Sequence, residues 1–190
     1  MIAHHGLFTE EGLLEMRLVF GWYPEVGTRP NLARDMLSEL AGSYIRLLEQ
    51  AHIVFRVGSY ARNLRNELTA SSKIYFYDTG VRNAVIADFS PASARTDIGH
   101  LFENFVMSEI RKTRCAIGKP EPLWFWRTTS GQEIDLIRSV GQDVAAYEIK
   151  WNPTSRAAFP ASFRAAYPQA PTTVITRNNV LKILAGLADP

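Results

Sequence analysis

The sequence predicts an α/β fold in which helices cover a mixed β-sheet. Three observations support this prediction: a long helix with a broad apolar face, three successive strands joined by short turns, and a helix–strand–helix segment after them. The predicted elements are a helix at 99–112, strands at 123–128, 132–137 and 144–150, a short helix at 160–166, a strand at 172–176 and a helix at 180–187.

Each of these elements follows from a local pattern. Apolar side chains recur at helical spacing across 99–112, at positions 101, 102, 105, 106, 107 and 110. Residues 129–131 and 139–143 are rich in turn formers and join the three strands in order. The segment at 151–153 (Trp-Asn-Pro) ends the third strand, and Asn178 or Asn179 can cap the last helix.

The N-terminal part predicts a smaller appendage to this pattern. It contains one long helix at about 32–51 and two strands at 53–57 and 73–77. Residues 88–95 are rich in Ala, Ser and Pro and form the best candidate linker. We therefore divide the chain into a segment at 1–87 and a domain at 96–190, which suits a length of 190 residues.

Charged residues at the ends of the second and third strands form the candidate site. Glu148 and Lys150 share one strand face because side chains alternate, and the turn at 139–143 brings them near Asp135 on the preceding strand. Two carboxylates and an ammonium suit phosphodiester hydrolysis with Mg²⁺, which prefers oxygen ligands. A solvated strand face with a cross-strand ion pair is the alternative. Aspartate and lysine are poor strand formers, which favours the functional interpretation.

Glu103 is a further candidate because it lies within the apolar arc of the helix at 99–112. Its helical neighbours are Val106, Met107 and Ile110, so its carboxylate needs a partner to offset the cost of burial. A metal site would provide one, and a buried pair with an arginine is the commoner arrangement. Glu109 is interleaved with apolar residues in a similar way, so the helix alone does not single out Glu103.

Six segments, in order along the chain, resemble the C-terminal domain of unknown function of a family of prokaryotic AAA-type P-loop ATPases. They are Trp22-Tyr23-Pro24-Glu25-Val26, residues 60–68, residues 73–83, Phe102-Glu103-Asn104-Phe105, Phe125-Trp126-Arg127-Thr128 and residues 147–153. The order of elements also resembles the restriction-endonuclease-like, PD-(D/E)XK nuclease superfamily. This resemblance implies a restriction-endonuclease-like core, with Glu103, Asp135, Glu148 and Lys150 as catalytic residues. It also implies Mg²⁺, or Mn²⁺ in its place, held by Glu103, Asp135 and Glu148.

Two features depart from the family pattern. The family carries an ATPase module, whereas this sequence contains no G-x-x-x-x-G-K-[ST] loop: its one Gly-Lys pair, Gly118-Lys119, is followed by Pro120. We therefore expect no ATP hydrolysis by this polypeptide alone. The family's winged helix-turn-helix is also shortened here, since the segment after Val26 runs directly into the helix around Tyr44. We expect this winged-helix-like remnant to read DNA less well than a complete module would.

Basic residues near the predicted N-terminal strands are candidates for nucleic-acid binding. Arg56, Arg62, Arg65 and Lys73 lie among tyrosine and asparagine, a mixture suited to phosphate contacts. An ordinary solvated loop, with arginines paired to Glu67 and nearby carboxylates, explains them equally well. The net charge of +2 is too small to indicate nucleic acid by itself.

The composition is typical of a soluble globular protein, with 46% hydrophobic and 21% charged residues. The single cysteine, Cys115, excludes an internal disulfide and fits a reducing compartment. No apolar run approaches the ~20 residues of a membrane span. We therefore expect a cytoplasmic location and no membrane partner.

Two hypotheses about function remain. In the first, the chain is a DNA-associated domain of a prokaryotic ATPase family with a Mg²⁺-dependent nuclease site. In the second, it is a non-catalytic domain that binds DNA or protein and works with an ATPase supplied in trans. The four residues Glu103, Asp135, Glu148 and Lys150 favour the first, and the missing ATPase and shortened winged segment favour the second.

Overall fold

The computed structural model describes residues 18–19, 32–61, 71–141 and 143–188. The chain divides into two compact units, Met1–Ala51 and His52–Pro190. In the first unit, helix α1 spans Ala33–Gln50, close to the predicted bounds. Its last turn is closed by a hydrogen bond from the Ala51 N–H to the Leu47 carbonyl, at 2.9 Å.

The second unit is built on a six-stranded mixed sheet with strand order β2-β1-β3-β4-β5-β6. Its strands and helices are β1 (Val54–Ser59), β2 (Ser72–Phe76), α2 (Thr79–Val85), α3 (Ile98–Ala116), β3 (Leu123–Arg127), β4 (Glu133–Val140), β5 (Asp143–Lys150), α4 (Ala161–Ala166), β6 (Thr172–Thr176) and α5 (Val180–Ala188). The predicted α/β class and mixed sheet are confirmed, with five α-helices in the described part of the chain.

Strand direction follows the lengths of the connections. Strands β3, β4 and β5 form an antiparallel meander, and β6 runs parallel to β5 after the crossover through α4. Strands β1 and β2, which the sequence predicts in the N-terminal segment, belong to the same sheet: β1 pairs antiparallel with β2 and parallel with β3. The meander thus gains two further strands on its β3 side.

Two groups of buried apolar side chains cover the sheet. The first joins α3 and α5 to the sheet through residues such as Phe102, Met107 and Val180. The second centres on Trp126 and includes Phe163 of α4. Helices therefore contribute to apolar packing on both sides, and every helix in the described ranges is too short or too polar to span a lipid bilayer.

Strand β4 departs from the predicted alternation. The sequence predicts that Ile134 and Leu136 face the same core, but Ile134 lies in the second apolar group and Leu136 in the first. The cause is a register shift in the ladder with β3, where Trp124 pairs with Ile137 and Trp126 pairs with Ile134. Between these two pairs, β3 advances by two residues and β4 by three. Strand β4 therefore carries one extra residue, a bulge, around Asp135 and Leu136.

The segment from 77 to 97 contains structure that the sequence analysis did not predict. Helix α2 begins after Asp78, whose side chain accepts a hydrogen bond from the Val81 N–H at 2.9 Å. The predicted linker includes a short 3₁₀ helix, Ala92–Ala94, and ends at the buried Arg95. The Arg95 guanidinium donates to the Asp97 carboxylate and to the Asp88 carbonyl, which fixes this segment in front of α3.

Candidate functional site

The structure brings Asp135, Glu148 and Lys150 together where β4 begins and β5 ends. The Lys150 ammonium lies 2.7 Å from Glu148 Oε2 and 3.1 Å from Asp135 Oδ2. The same Asp135 oxygen accepts a hydrogen bond from the backbone N–H of Ile149 at 2.8 Å. The backbone ladder between the two strands runs from Val140 and Asp143 to Leu136 and Tyr147. The Asp135 side chain therefore bonds to β5 just beyond that ladder, in the bulged part of β4.

Burial and mutual charge set the protonation of this group. Glu148 is buried, with 6% of its surface exposed, and burial raises the pKa of its carboxyl. The Lys150 hydrogen bond opposes this increase, whereas the negative charge of Asp135 adds to it. Burial alone would lower the pKa of Lys150, but Glu148 and Asp135 together raise it above its ordinary value. The ammonium therefore remains charged and offsets the two neighbouring carboxylates.

The partners of Glu103 on α3 are side chains of β2, whereas the sequence left a metal and an arginine as the two alternatives. Its Oε1 accepts a hydrogen bond from the Tyr75 hydroxyl at 2.6 Å and one from the Lys73 ammonium at 3.0 Å. Lys73 also lies 2.5 Å from Glu133, whose other oxygen is 2.8 Å from Arg127 Nε. A chain of alternating charges thus runs from α3 through β2 and β4 to β3.

The residue after Glu103 fixes the helix to the same strand. The Asn104 side chain accepts from the backbone N–H of Phe76 at 2.8 Å and donates to the Phe76 carbonyl at 2.9 Å. Strand β2 pairs only with β1 in the described sheet, so this amide satisfies backbone groups on its outer edge. Because Asn104 is buried, the contact fixes the position of α3, and hence of Glu103, along β2.

These groups surround one open cavity of about 800 Å³. Its lining combines acidic and basic residues from β2, α3, β4 and β5, namely Lys73, Glu103, Glu133, Asp135 and Lys150. Glu148 is not part of the lining and lies behind Lys150, to which it is bonded. A second cavity of about 560 Å³, between the β4–β5 turn and the segment after α4, contains none of the predicted site residues.

The donor set fits a hard divalent cation in its chemistry. Carboxylate oxygens are the ligands that Mg²⁺ and Mn²⁺ prefer, and Glu103, Glu133 and Asp135 line the cavity. However, no three His, Cys, Asp or Glu side chains in the described ranges are close enough together to hold a metal ion as they stand. Lys73 and Lys150 instead contact the carboxylates of the site.

The predicted nucleic-acid-binding residues are dispersed. Lys73 lies in the cavity, whereas Arg56 is exposed on β1 opposite Ile74. Arg62 and Arg65 lie outside the described residues. Sequence reasoning missed Tyr75 and Asn104 as partners of the site. Alternation along β2 already places Lys73 and Tyr75 on one face, but which helix that face meets depends on long-range packing.

Comparisons with known proteins match both halves of this arrangement to families without an assigned function. Residues 98–186, from α3 to α5, match the family model described as Domain of unknown function (DUF4143). The matched range contains Glu103, Asp135, Glu148 and Lys150. Residues 31–92 match Domain of unknown function (DUF8612), which includes Lys73 and Tyr75. The predicted resemblance to a domain of unknown function is thus confirmed at this level.

Two curated relatives share part of the chain. An uncharacterized protein of Mycobacterium tuberculosis and one of Mycobacterium bovis are each 28% identical to it over 118 residues, or 61% of this chain. The match covers 26% of each relative, so the chain spans about a quarter of the length of these proteins. No solved structure matches the chain.

Proposed function

We propose that this chain is a divalent-cation-dependent nuclease domain that cleaves DNA. Its catalytic site consists of Asp135, Glu148 and Lys150, with Glu103 as the fourth residue. The observation that carries the proposal is the placement of the Lys150 ammonium, 2.7 Å from Glu148 and 3.1 Å from Asp135, beside a cavity that Glu103 also lines. Phosphodiester hydrolysis needs oxygen ligands for a cation and a positive charge near the phosphate, and this group supplies both.

The topology supports a restriction-endonuclease-like arrangement of this domain. Helix α3 precedes an antiparallel meander of three strands, and α4 leads into β6, which runs parallel to β5. In this proposal, the ends of β4 and β5 present the acidic residues, and α3 presents Glu103. The bulge in β4 supports it further, because bulges commonly re-aim a side chain next to an active site.

The residues of the site take two roles in this proposal, as ligands of the cation and as a positive charge beside the phosphate. Asp135, Glu148 and Glu103 would hold Mg²⁺ or Mn²⁺, which when bound would activate a water and neutralise charge on the phosphate. The Ile149 N–H fixes one oxygen of Asp135 and thereby orients its carboxylate. Lys150 keeps its charge beside both carboxylates, so it can stabilise the negative charge that develops on the phosphate oxygens.

We further propose that the domain works with a P-loop ATPase module, fused to it or supplied in trans. The six sequence segments that resemble the C-terminal domain of such ATPases support this association. The relatives support it in a weaker way, because the match leaves about three quarters of each relative for other domains. DNA delivered or moved by the ATPase would reach the cavity beside Lys150.

A non-catalytic domain that binds DNA or protein is the second candidate, and one observation favours it. Glu103 and Glu133 are paired with Lys73, and Asp135 and Glu148 are paired with Lys150. In a non-catalytic domain the only role of the lysines is to neutralise these buried or half-buried carboxylates, and the cavity offers a binding surface without chemistry.

DNA cleavage by substituted proteins separates these two candidates. We expect Mn²⁺- or Mg²⁺-dependent cleavage of single- or double-stranded DNA by the wild type. We expect about a 100-fold loss in Lys150→Ala, as is usual when a group that stabilises transition-state charge is removed. We expect a loss of about the same size in Asp135→Ala, because that change removes a proposed ligand of the cation. Glu109→Ala is the matched control, because Glu109 is an acidic residue on α3 paired with Lys112 and is not among the residues that line the cavity.

Two results would decide against catalysis at this site. Cleavage that persists in both substituted proteins would come from a contaminating nuclease. No cleavage by the wild type at high protein concentration, with Mn²⁺ and a P-loop ATPase partner present, would favour the binding domain.

A further inference from the structure

Tyr75 holds one oxygen of Glu103 from a strand outside the α3–β3–β4–β5 core. Its hydroxyl donates to Glu103 Oε1 at 2.6 Å, and the Lys73 ammonium donates to the same oxygen at 3.0 Å. Among the described residues, no donor contacts Glu103 Oε2. The carboxylate is therefore held from one side, by β2, and its second oxygen has no hydrogen-bond partner within the described ranges.

Tyr75 makes this contact from a buried, packed position on β2. The residue is buried with 5% of its surface exposed, and its ring packs near Phe55 in the first apolar group. The packing of its ring therefore sets where the hydroxyl meets the Glu103 carboxylate.

We propose that Tyr75 is a positioning residue of the cation site: it fixes Glu103 Oε1 so that Oε2 is presented to a divalent cation in the cavity. This inference rests on the proposed function, because it assumes that the cavity takes such a cation. Partners that orient a metal ligand in this way typically change metal affinity about 10- to 100-fold when they are removed. Strand β2 is accordingly part of the site, although it lies outside the predicted domain at 96–190.

The proposal differs from a purely structural role, in which the hydroxyl only satisfies a half-buried carboxylate. A structural role predicts that Tyr75→Phe lowers stability and leaves the cation affinity of the folded protein unchanged. A positioning role predicts lower affinity in a protein that remains folded, and predicts that the effect depends on Glu103.

Titration calorimetry with Mn²⁺ alone, in the absence of DNA, tests this difference. We expect Tyr75→Phe to bind Mn²⁺ about 10-fold more weakly than the wild type. Tyr77→Phe is the matched control: it is the same change two residues further on, and the Tyr77 hydroxyl contacts Arg111 and not Glu103. We expect its affinity to equal that of the wild type. Thermal unfolding of each protein verifies that the binding is measured on folded material.

The same measurement in a Glu103→Ala background shows whether Tyr75 acts through Glu103. We expect Tyr75→Phe to change affinity no further in that background, because the acceptor of its hydrogen bond is gone. Two results would overturn the positioning role of Tyr75 and leave the proposed function standing. One is an equal Mn²⁺ affinity of Tyr75→Phe and wild type, and the other is an equal loss of affinity with and without Glu103. A wild type that binds Mn²⁺ no better than Asp135→Ala would overturn the proposed function and this inference with it.

Discussion

Replacing Lys150 by methionine tests whether the carboxylates around it can hold a cation. The change removes the ammonium that lies between Glu148 and Asp135, and it keeps most of the side-chain stem and its packing. Two acidic groups are then left side by side without a counter-charge. In the proposed function the same substitution removes the residue that stabilises the phosphate charge. Stability, cation binding and cleavage should therefore respond in different directions.

The geometry sets the expected loss of stability. Removing one partner of a fully buried ion pair costs about 3–5 kcal/mol. The Lys150 side chain is 35% exposed, so water screens part of that interaction and we expect about 1–3 kcal/mol. Lys112→Met is the matched control, because Lys112 pairs with Glu109 on the surface of α3 and is 46% exposed. We expect less than about 0.5 kcal/mol there.

Divalent cation should then replace the missing ammonium. In the proposed site, Mn²⁺ would compete with Lys150 for Asp135 and Glu148 in the wild type, and this competition would be absent in Lys150→Met. A cation that binds only the folded state at ten times its dissociation constant stabilises by about 1.4 kcal/mol. We therefore expect Mn²⁺ to raise the free energy of unfolding more in Lys150→Met than in wild type, while DNA cleavage is lost.

Urea unfolding at pH 7.5 in Mg²⁺-free buffer, with and without Mn²⁺, measures the loss of stability and the stabilisation by Mn²⁺. Equal stabilisation by Mn²⁺ of Lys150→Met, Lys112→Met and wild type would refute the idea that these carboxylates form a cation site. An unchanged stability of Lys150→Met without Mn²⁺ would refute the ion-pair geometry on which the reasoning depends.

Three further predictions follow from the same contacts. The pKa of Glu148 is raised above 4.5 in the fold, so its ionised form destabilises the folded state. Glu148→Gln should therefore be more stable than wild type at neutral pH, by about 1.4 kcal/mol per unit of pKa difference. Urea unfolding should show that this difference in stability disappears as the pH falls towards 4.5. Asn104→Ala leaves two backbone groups of Phe76 without partners and should lower the free energy of unfolding in urea by about 2–4 kcal/mol. A loss below about 0.5 kcal/mol would contradict the idea that the Asn104 amide fixes α3 to β2. A fragment of residues 96–190 lacks β1 and β2, which bury Phe55 and Tyr75 against α3, so its circular dichroism should show no cooperative thermal transition where the full chain shows one.

The sequence predicted the order of elements well because that order depends on local patterns. The β4–β5 hairpin is an example: the turn formers at 139–143 set its position, and Gly141 adopts a φ of 62° that suits glycine. The convergence of Asp135, Glu148 and Lys150 followed from this hairpin and from alternation along β5. The turn and this alternation were enough to predict that the three residues lie close together, whereas the bulge at Asp135 depends on pairing with β3.

The bulge in β4 and the partners of Glu103 could not be predicted in the same way. Alternation alone assigns Ile134 and Leu136 to one face, although the adjacent apolar pair Leu136-Ile137 is a signal that the period is interrupted. Glu103 needed a partner, but its choice of Tyr75 and Lys73 depends on where β2 docks against α3. Helix α2 is a different case, since Asp78 is a cap signal that can be read from the sequence alone.

The candidate site is built from two stretches of the chain, and a different family model matches each of them. The model for residues 98–186 covers the carboxylates and Lys150, but the groups that hold Glu103 belong to residues 31–92. Strand β2 and helix α3 are joined at adjacent positions: Glu103 binds side chains of β2, and Asn104 binds its backbone. A change in the docking of β2 would shift both contacts together, because one helix turn carries them. The N-terminal strands therefore determine the geometry of the candidate site.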